Sequence, residues 1–173
     1  MDNFNKKLKP KLKSLWWKVK AFSARVYYGF PASKLKIVGV TGTSGKTTTV
    51  TLLYKIAHGL GYKAGLISTA GNMVNGKSLG ENSKGPGTTP DSVTLTKIFK
   101  QMVDEGAEYV FMEVSSHAMM QNRVANINFA GGVFINLSQD HLDYHKDMED
   151  YFQAKKSFFQ MLGNRAFTLT NAD

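Results

Sequence analysis

The stretch that most restricts this chain is Val40-Thr41-Gly42-Thr43-Ser44-Gly45-Lys46-Thr47-Thr48-Thr49, which joins a β-branched run to a helical one. Residues 36–41, with Ile37, Val38 and Val40 as apolar members, predict a short buried strand, and residues 46–60 predict a helix. A glycine-rich loop between strand and helix is the context of a phosphate-binding loop. Gly42 and Gly45 let the backbone turn tightly with its N–H groups facing phosphate oxygens, and the helix N-terminus adds the positive end of a dipole. Lys46 then sets a cation on the β- and γ-phosphates, and the Thr47 hydroxyl can bind a bridging magnesium. The nucleotide-binding set expected from the loop is Gly42, Thr43, Ser44, Gly45, Lys46, Thr47 and Thr48. The loop is a short variant, because the usual pattern has a glycine five residues before Gly45 and this chain has Val40 there.

Beyond the loop, strand and helix signals alternate. Strands are expected at 64–68, 109–114, 132–136 and 166–170, with a hairpin turned at Asn75-Gly76. A Gly/Ser/Pro-rich loop is expected over 80–90, then a helix capped by Asp91 that runs to about 105, and another over 148–162. This alternation predicts an α/β domain: a mostly parallel sheet with helices on both faces.

Composition narrows the class. The 173 residues fit one ordinary domain, and a 42% hydrophobic content with 4 prolines gives enough apolar material for a core. The absence of cysteine excludes a disulfide scaffold, a thiolate zinc site and a cysteine nucleophile. The net charge of +9 is not spread over the chain: residues 1–36 hold ten basic residues and one acid, Asp2, while the rest is balanced. That asymmetry describes a basic arm on a neutral domain and speaks against a nucleic-acid-binding surface. In the arm, Leu8, Leu12, Leu15, Trp16, Val19, Phe22 and Val26 recur at helical spacing, with Lys11, Lys18 and Arg25 on another face. Residues 8–26 are too interrupted by lysine to cross a membrane, and two readings stand: peripheral contact with anionic lipid, or packing on protein.

A second constellation lies downstream. Glu113 stands where a buried strand opens into a loop, the sheet edge at which α/β folds bind ligands, and a carboxylate there suits magnesium. Arg123 can pair bidentately with a carboxylate or phosphate. His141, in Asn136-Leu137-Ser138-Gln139-Asp140-His141-Leu142-Asp143-Tyr144-His145, is a candidate ligand for a second metal ion. Asp143 and His145 are taken as surface loop residues, and the role of His117 stays open.

Together these segments resemble the Mur ligase family, ATP-dependent amide-bond ligases of peptidoglycan precursor synthesis. The strings Glu113-Val114-Ser115-Ser116-His117-Ala118, Gln121-Asn122-Arg123 and Thr88-Thr89-Pro90 are similar to the branch that adds the third stem-peptide residue, the UDP-N-acetylmuramoyl-tripeptide synthetases. The resemblance implies ATP and Mg2+ as cofactors. It implies Lys46, Glu113, His141 and Lys155 as catalytic positions and Thr47, Glu113, His141 and Lys155 as metal positions, with Lys155 carbamylated. It implies that Thr88, Thr89, Ser115, Gln121 and Arg123 bind a UDP-N-acetylmuramoyl peptide, whose carboxylate is phosphorylated and then attacked by an amino acid. The resemblance implies a cytoplasmic location, and the lipid reading of residues 8–26, where it holds, adds peripheral contact at the inner membrane face.

Two domains are expected on this reading: a basic amphipathic helix over 1–31, and over 36–173 the central ATP-binding domain of such a ligase, incomplete at its C-terminus. The family's uridine-nucleotide domain and amino-acid-recognising domain are then lacking, and the chain alone is expected to turn over little. The alternatives are a folylpolyglutamate or cyanophycin-type ligase of similar loop, and a non-catalytic membrane-associated ATP-binding module.

Overall fold

The structure, a computed structural model, describes residues 10–80, 87–140 and 144–171, with side chains from residue 19 onward. Expectations that fall on Leu8, on 81–86 of the expected loop, on His141 and Asp143, and on the side chains of Leu12, Leu15, Trp16, Lys11 and Lys18 lie outside the described residues.

The chain runs through helix α1 (Pro10–Tyr27), a 3-10 turn (Pro31–Lys34), β1 (Lys36–Thr41), α2 (Lys46–Gly59), β2 (Ala64–Ser68), β3 (Gly71–Val74) and β4 (Lys77–Ser78). It continues through α3 (Ser92–Asp104), β5 (Tyr109–Glu113), α4 (Ser116–Met120), β6 (Phe129–Phe134), α5 (Met148–Gln160) and β7 (Phe167–Thr170). The strands form one sheet in the order β4-β3-β2-β5-β1-β6-β7. Strands β2, β5, β1, β6 and β7 are parallel, and β3 and β4 add antiparallel pairs at one edge. The expected α/β architecture is the one observed.

β1 is central because every residue after Lys36 in it is buried, which a strand tolerates only with a layer on each face. Ile37 joins a large core with Leu95, Ile98 and Phe99 of α3 and Phe158 of α5. Val38 and Val40, one residue out of phase, join Val50 and Tyr54 of α2 on the opposite face. Between them Gly39 leaves room for the Phe158 ring, which an added Cβ would meet at 2.5 Å.

Local chemistry sets the ends of elements. Asp91 caps α3 by accepting from Val93 N at 2.9 Å and Thr94 N at 3.2 Å. Asn75 and Gly76, at φ 47° and 83°, turn the β3–β4 hairpin in the left-handed geometry that Asn-Gly supports. β6 differs from expectation: it spans Phe129–Phe134 rather than 132–136. Gly131 and Gly132 lie inside the strand, where a Cβ on Gly132 would run 2.8 Å from Leu162 of the segment that follows α5.

Parallel pairing fixes what converges. Val40 is in register with Glu113 of β5, and Thr41 with Phe134 of β6. The loop after β1 therefore has Glu113 on one flank and residues 135–138 on the other. The consecutive strands β5 and β6 flank β1 on opposite sides, which makes its C-terminal end a switch point of the kind at which α/β sheets bind ligands.

Candidate functional site

Gly45 takes φ 85° as the N-cap of α2, a left-handed conformation that would strain a residue with a Cβ. The loop is held from across the sheet. Asn136 Oδ1 accepts from Thr43 N at 3.0 Å and from Ser44 N at 3.1 Å, and its amide donates to Ser44 O at 3.3 Å. Thr43 Oγ1 accepts from Ser138 N at 2.9 Å and takes part in a 3.3 Å hydrogen bond with Tyr151 Oη. Thr48 is exposed on the first turn of α2.

Lys46 folds back over the loop, its ammonium 2.8 Å from both Gly42 O and Thr43 O. Burial lowers its pKa, while the charges of Glu113 and Asp140 act the other way. Lys155, only 2% exposed, comes from α5 to donate to the same Gly42 O at 2.8 Å and rests over the Tyr151 ring. Desolvation, reinforced by the nearby Lys46 charge and opposed by Asp140, brings its pKa down to about 7. A lysine so placed is neutral for a substantial part of the time near neutrality.

Glu113 is 1% exposed and accepts three hydrogen bonds. Thr47 Oγ1 and Thr69 N donate to its Oε1 at 2.8 Å each, and Thr69 Oγ1 donates to Oε2 at 3.2 Å. A carboxylate touching the first-turn threonine hydroxyl beneath a phosphate-type loop is a hard-oxygen donor set, the chemistry magnesium prefers. His141 lies outside the described residues, so only Thr47, Glu113 and Lys155 of the expected metal set are placed.

The other expected residues gather on the far side of a cleft of about 240 Å3 lined by Lys46, Gly87, Thr88, Ser115, Ser116, His117, Arg123 and Lys155. Arg123 closes it, with Nε and Nη2 on Gln121 Oε1 at 2.9 and 2.7 Å and Nη1 on Thr89 O. Thr89 is fully buried, its hydroxyl donating to Glu113 O at 2.9 Å and accepting from Ser115 N at 3.1 Å. Of the threonine pair, Thr88 lines the cleft and Thr89 ties that rim to the end of β5. Ser115 caps α4 through Ala118 N at 3.2 Å.

Two residues of the site carry roles the sequence reading did not give them. Asn136, quoted there only as part of a string, anchors the loop from the segment just past β6. His145, expected on the surface, is instead 2% exposed. Its Nε2 lies 2.9 Å from Ser116 Oγ and its Nδ1 3.1 Å from Asp150 Oδ2. Burial follows from α5 folding over the loop, which packs Tyr151 against the imidazole at 5.0 Å.

The family model described as "Mur ligase middle domain" matches residues 40–173, most of the chain and every element just described after β1. The chain belongs to the Mur ligase family. It is 53% identical over 150 residues to the UDP-N-acetylmuramoyl-L-alanyl-D-glutamate--2,6-diaminopimelate ligase of Phocaeicola vulgatus, a match covering 87% of this chain and 30% of that protein. The same-named ligase of Geobacillus thermodenitrificans is 49% identical over 145 residues, 84% of this chain and 29% of that one. The chain thus spans under a third of the length of these Mur ligases. Among solved structures, one of a ligase of that name aligns with TM-score 0.68 at 28% identity, over 79% of this chain and 31% of that one. The FolC structure of E. coli with DHPP and ADP aligns with TM-score 0.59 at 20% identity over 76% of this chain and 37% of that one, a likeness of fold.

Proposed function

We propose that this chain is the ATP-binding middle domain of a peptidoglycan-precursor ligase, which extends a UDP-N-acetylmuramoyl peptide by one amino acid through an acyl phosphate. The observation that carries the proposal is the shared cleft: Lys46 and Lys155 line it at the phosphate loop, and Thr88, Ser115 and Arg123 line it at the opposite rim. Two anionic reactants, a nucleotide triphosphate and a peptide carboxylate, would meet between these two cationic ends.

In that reading the loop amides and Lys46 hold the triphosphate and stabilise charge on the transferred γ-phosphoryl group. Arg123, oriented by Gln121, holds an anionic group of the peptide substrate. Thr47 and Glu113 hold magnesium, with His141 as a further ligand, and the ion when bound neutralises phosphate charge. Lys155, buried and shifted toward neutrality, is the amine whose neutral form adds to carbon dioxide, forming an N–C bond and releasing a proton to solvent, so that an anionic carbamate oxygen donor replaces a cation beside Lys46. The substrate class places the chain in the cytoplasm. The relatives named above are diaminopimelate ligases, which makes that branch the favoured one.

The test is titration of the chain with ATP and Mg2+, then with UDP-N-acetylmuramoyl-dipeptide or a folate. Saturable ATP binding lost in Lys46→Ala, and dipeptide binding lost in Arg123→Ala, support the proposal. Binding of folate in place of the dipeptide would assign the chain to the folylpolyglutamate type.

A further inference from the structure

Helix α1 meets the domain on the side that carries Ala21 and Ala24. Ala21 is buried, Ala24, Arg25 and Tyr28 are half-buried, and the helix lies against α3. The described members of its apolar stripe point elsewhere: Val19, Phe22 and Val26 are 51%, 56% and 51% exposed. Positions separated by three and four residues share one helix face, so the domain packs one side of α1 and leaves the large apolar side uncovered. Tyr27 at the end of the helix is exposed as well.

We infer that this face of α1 docks the chain on the surface of an anionic lipid bilayer. Charge decides the occupant. The first 36 residues hold ten basic side chains against Asp2 alone, so whatever covers the stripe must accept concentrated positive charge beside apolar surface. A bilayer interface with anionic headgroups offers both, acyl boundary for Val19, Phe22 and Val26 and phosphate for the lysines. A second copy would bring the same positive arm against the first, which repels. Nucleic acid would take the charge but has no use for an outward row of Val and Phe. Among the described residues no helix is long and apolar enough to cross a membrane, so the contact lies in the interfacial plane. The inference is independent of the ligase reading, since it uses no residue of the cleft.

The chain supplies its own probe: Trp16 and Trp17 are its two tryptophans, so fluorescence reports this helix alone. Phosphatidylcholine vesicles with and without an equal part of phosphatidylglycerol are titrated into the full chain. The expected result is a blue shift with the anionic vesicles, reduced by high salt and absent with the neutral ones. Phe22→Ser, at a surface position, should weaken the partition about tenfold with the circular dichroism unchanged. The inference is overturned by an equal response to neutral vesicles, by none to either, or by a partition that Phe22→Ser leaves intact. Self-association abolished by Phe22→Ser would make the occupant a second copy. A response to duplex DNA in place of vesicles would make it nucleic acid.

Discussion

Ser116 Oγ lies 2.9 Å from His145 Nε2, and the other nitrogen of that imidazole lies 3.1 Å from Asp150 Oδ2. In the neutral imidazole, with Asp150 accepting at its ionised carboxylate, the ring proton sits on Nδ1 and Nε2 accepts from the serine hydroxyl. Ser116 starts α4 and lines the cleft, so this chain of bonds couples the cleft wall to α5. His145→Ala leaves the buried Ser116 hydroxyl without that partner and opens a cavity beside Tyr151. The expected loss is about 2–3 kcal/mol in urea unfolding. His145→Gln should recover part of it, and an unchanged midpoint in His145→Ala would refute the coupling.

Glu113 gathers three donors on one carboxylate while it is almost fully buried. Glu113→Gln can keep an acceptor for Thr47 Oγ1 and Thr69 N only with its amide oxygen at the Oε1 position, and its NH2 then forces the Thr69 hydroxyl to turn from donor to acceptor, so the charge-assisted bonds are lost. A loss of about 1–3 kcal/mol is expected, together with loss of the magnesium dependence of nucleotide binding. Isothermal titration with ATP, with and without Mg2+, reads the second effect. Unaltered magnesium dependence would remove Glu113 from the metal set.

Lys155 gives a stability slope of definite sign. Its folded pKa is down to about 7 against an ordinary value of 10.5. Between those values the unfolded chain binds more protons than the folded one, so stability rises with pH across that window and the cost of burying the cation is fully present below it. Lys46, lowered as well, adds a slope of the same sign. Lys155→Met should therefore flatten the curve between pH 7 and the lysine range without abolishing it, by denaturant unfolding at a series of pH values. Equal slopes in both proteins would contradict the burial argument.

What could be read from the sequence follows the reach of each interaction. The β1 strand, the loop and the start of α2 were legible because Ile37, Val40, Gly45 and Lys46 act within a few residues of one another. Asp91 was legible for the same reason, its cap reaching only to Val93 and Thr94. β6 was expected to start at 132 rather than at Phe129 because Gly131 gives no local strand signal, while its reason is a close approach by Phe167 far along the chain. His145 was assigned to the surface because a polar loop signals exposure, and only the fold of α5 over it supplies Asp150 and Tyr151. The outward turn of the α1 stripe was equally hidden, since periodicity shows that an apolar face exists and not which way it points.

Asp91 offers a local check. Burial raises its carboxyl pKa, but hydrogen bonds from Thr94 and Val93 and the charge of Arg123 outweigh that and hold it below the ordinary carboxylate value. Its stabilising contribution is therefore present above that value and lost as pH falls through the folded pKa. Asp91→Ala should cost about 1 kcal/mol, a drop of roughly 2–4 °C in melting temperature for a domain of this size. No drop at neutral pH would show the cap to be dispensable.

Asn136 separates loop order from loop charge. Its side chain accepts from Thr43 N and Ser44 N and donates to Ser44 O, fixing the loop from the segment just past β6, more than ninety residues further on. Asn136→Ala frees those groups and should weaken nucleotide binding about tenfold, because the loop must then be ordered by the ligand. Asn136→Asp keeps an acceptor for both N–H groups but loses the donor and adds a negative charge beside the phosphate cradle. Order alone predicts that the aspartate variant binds ATP better than the alanine one. Electrostatics predicts the reverse, since two like charges at contact distance near a protein surface cost several kcal/mol, about 4 at an effective dielectric of 20. The second effect is the larger, so the expected ranking by ATP titration is Asn136, then Ala, then Asp. An aspartate variant that binds ATP more tightly than the alanine one would mean that phosphate is held away from the loop.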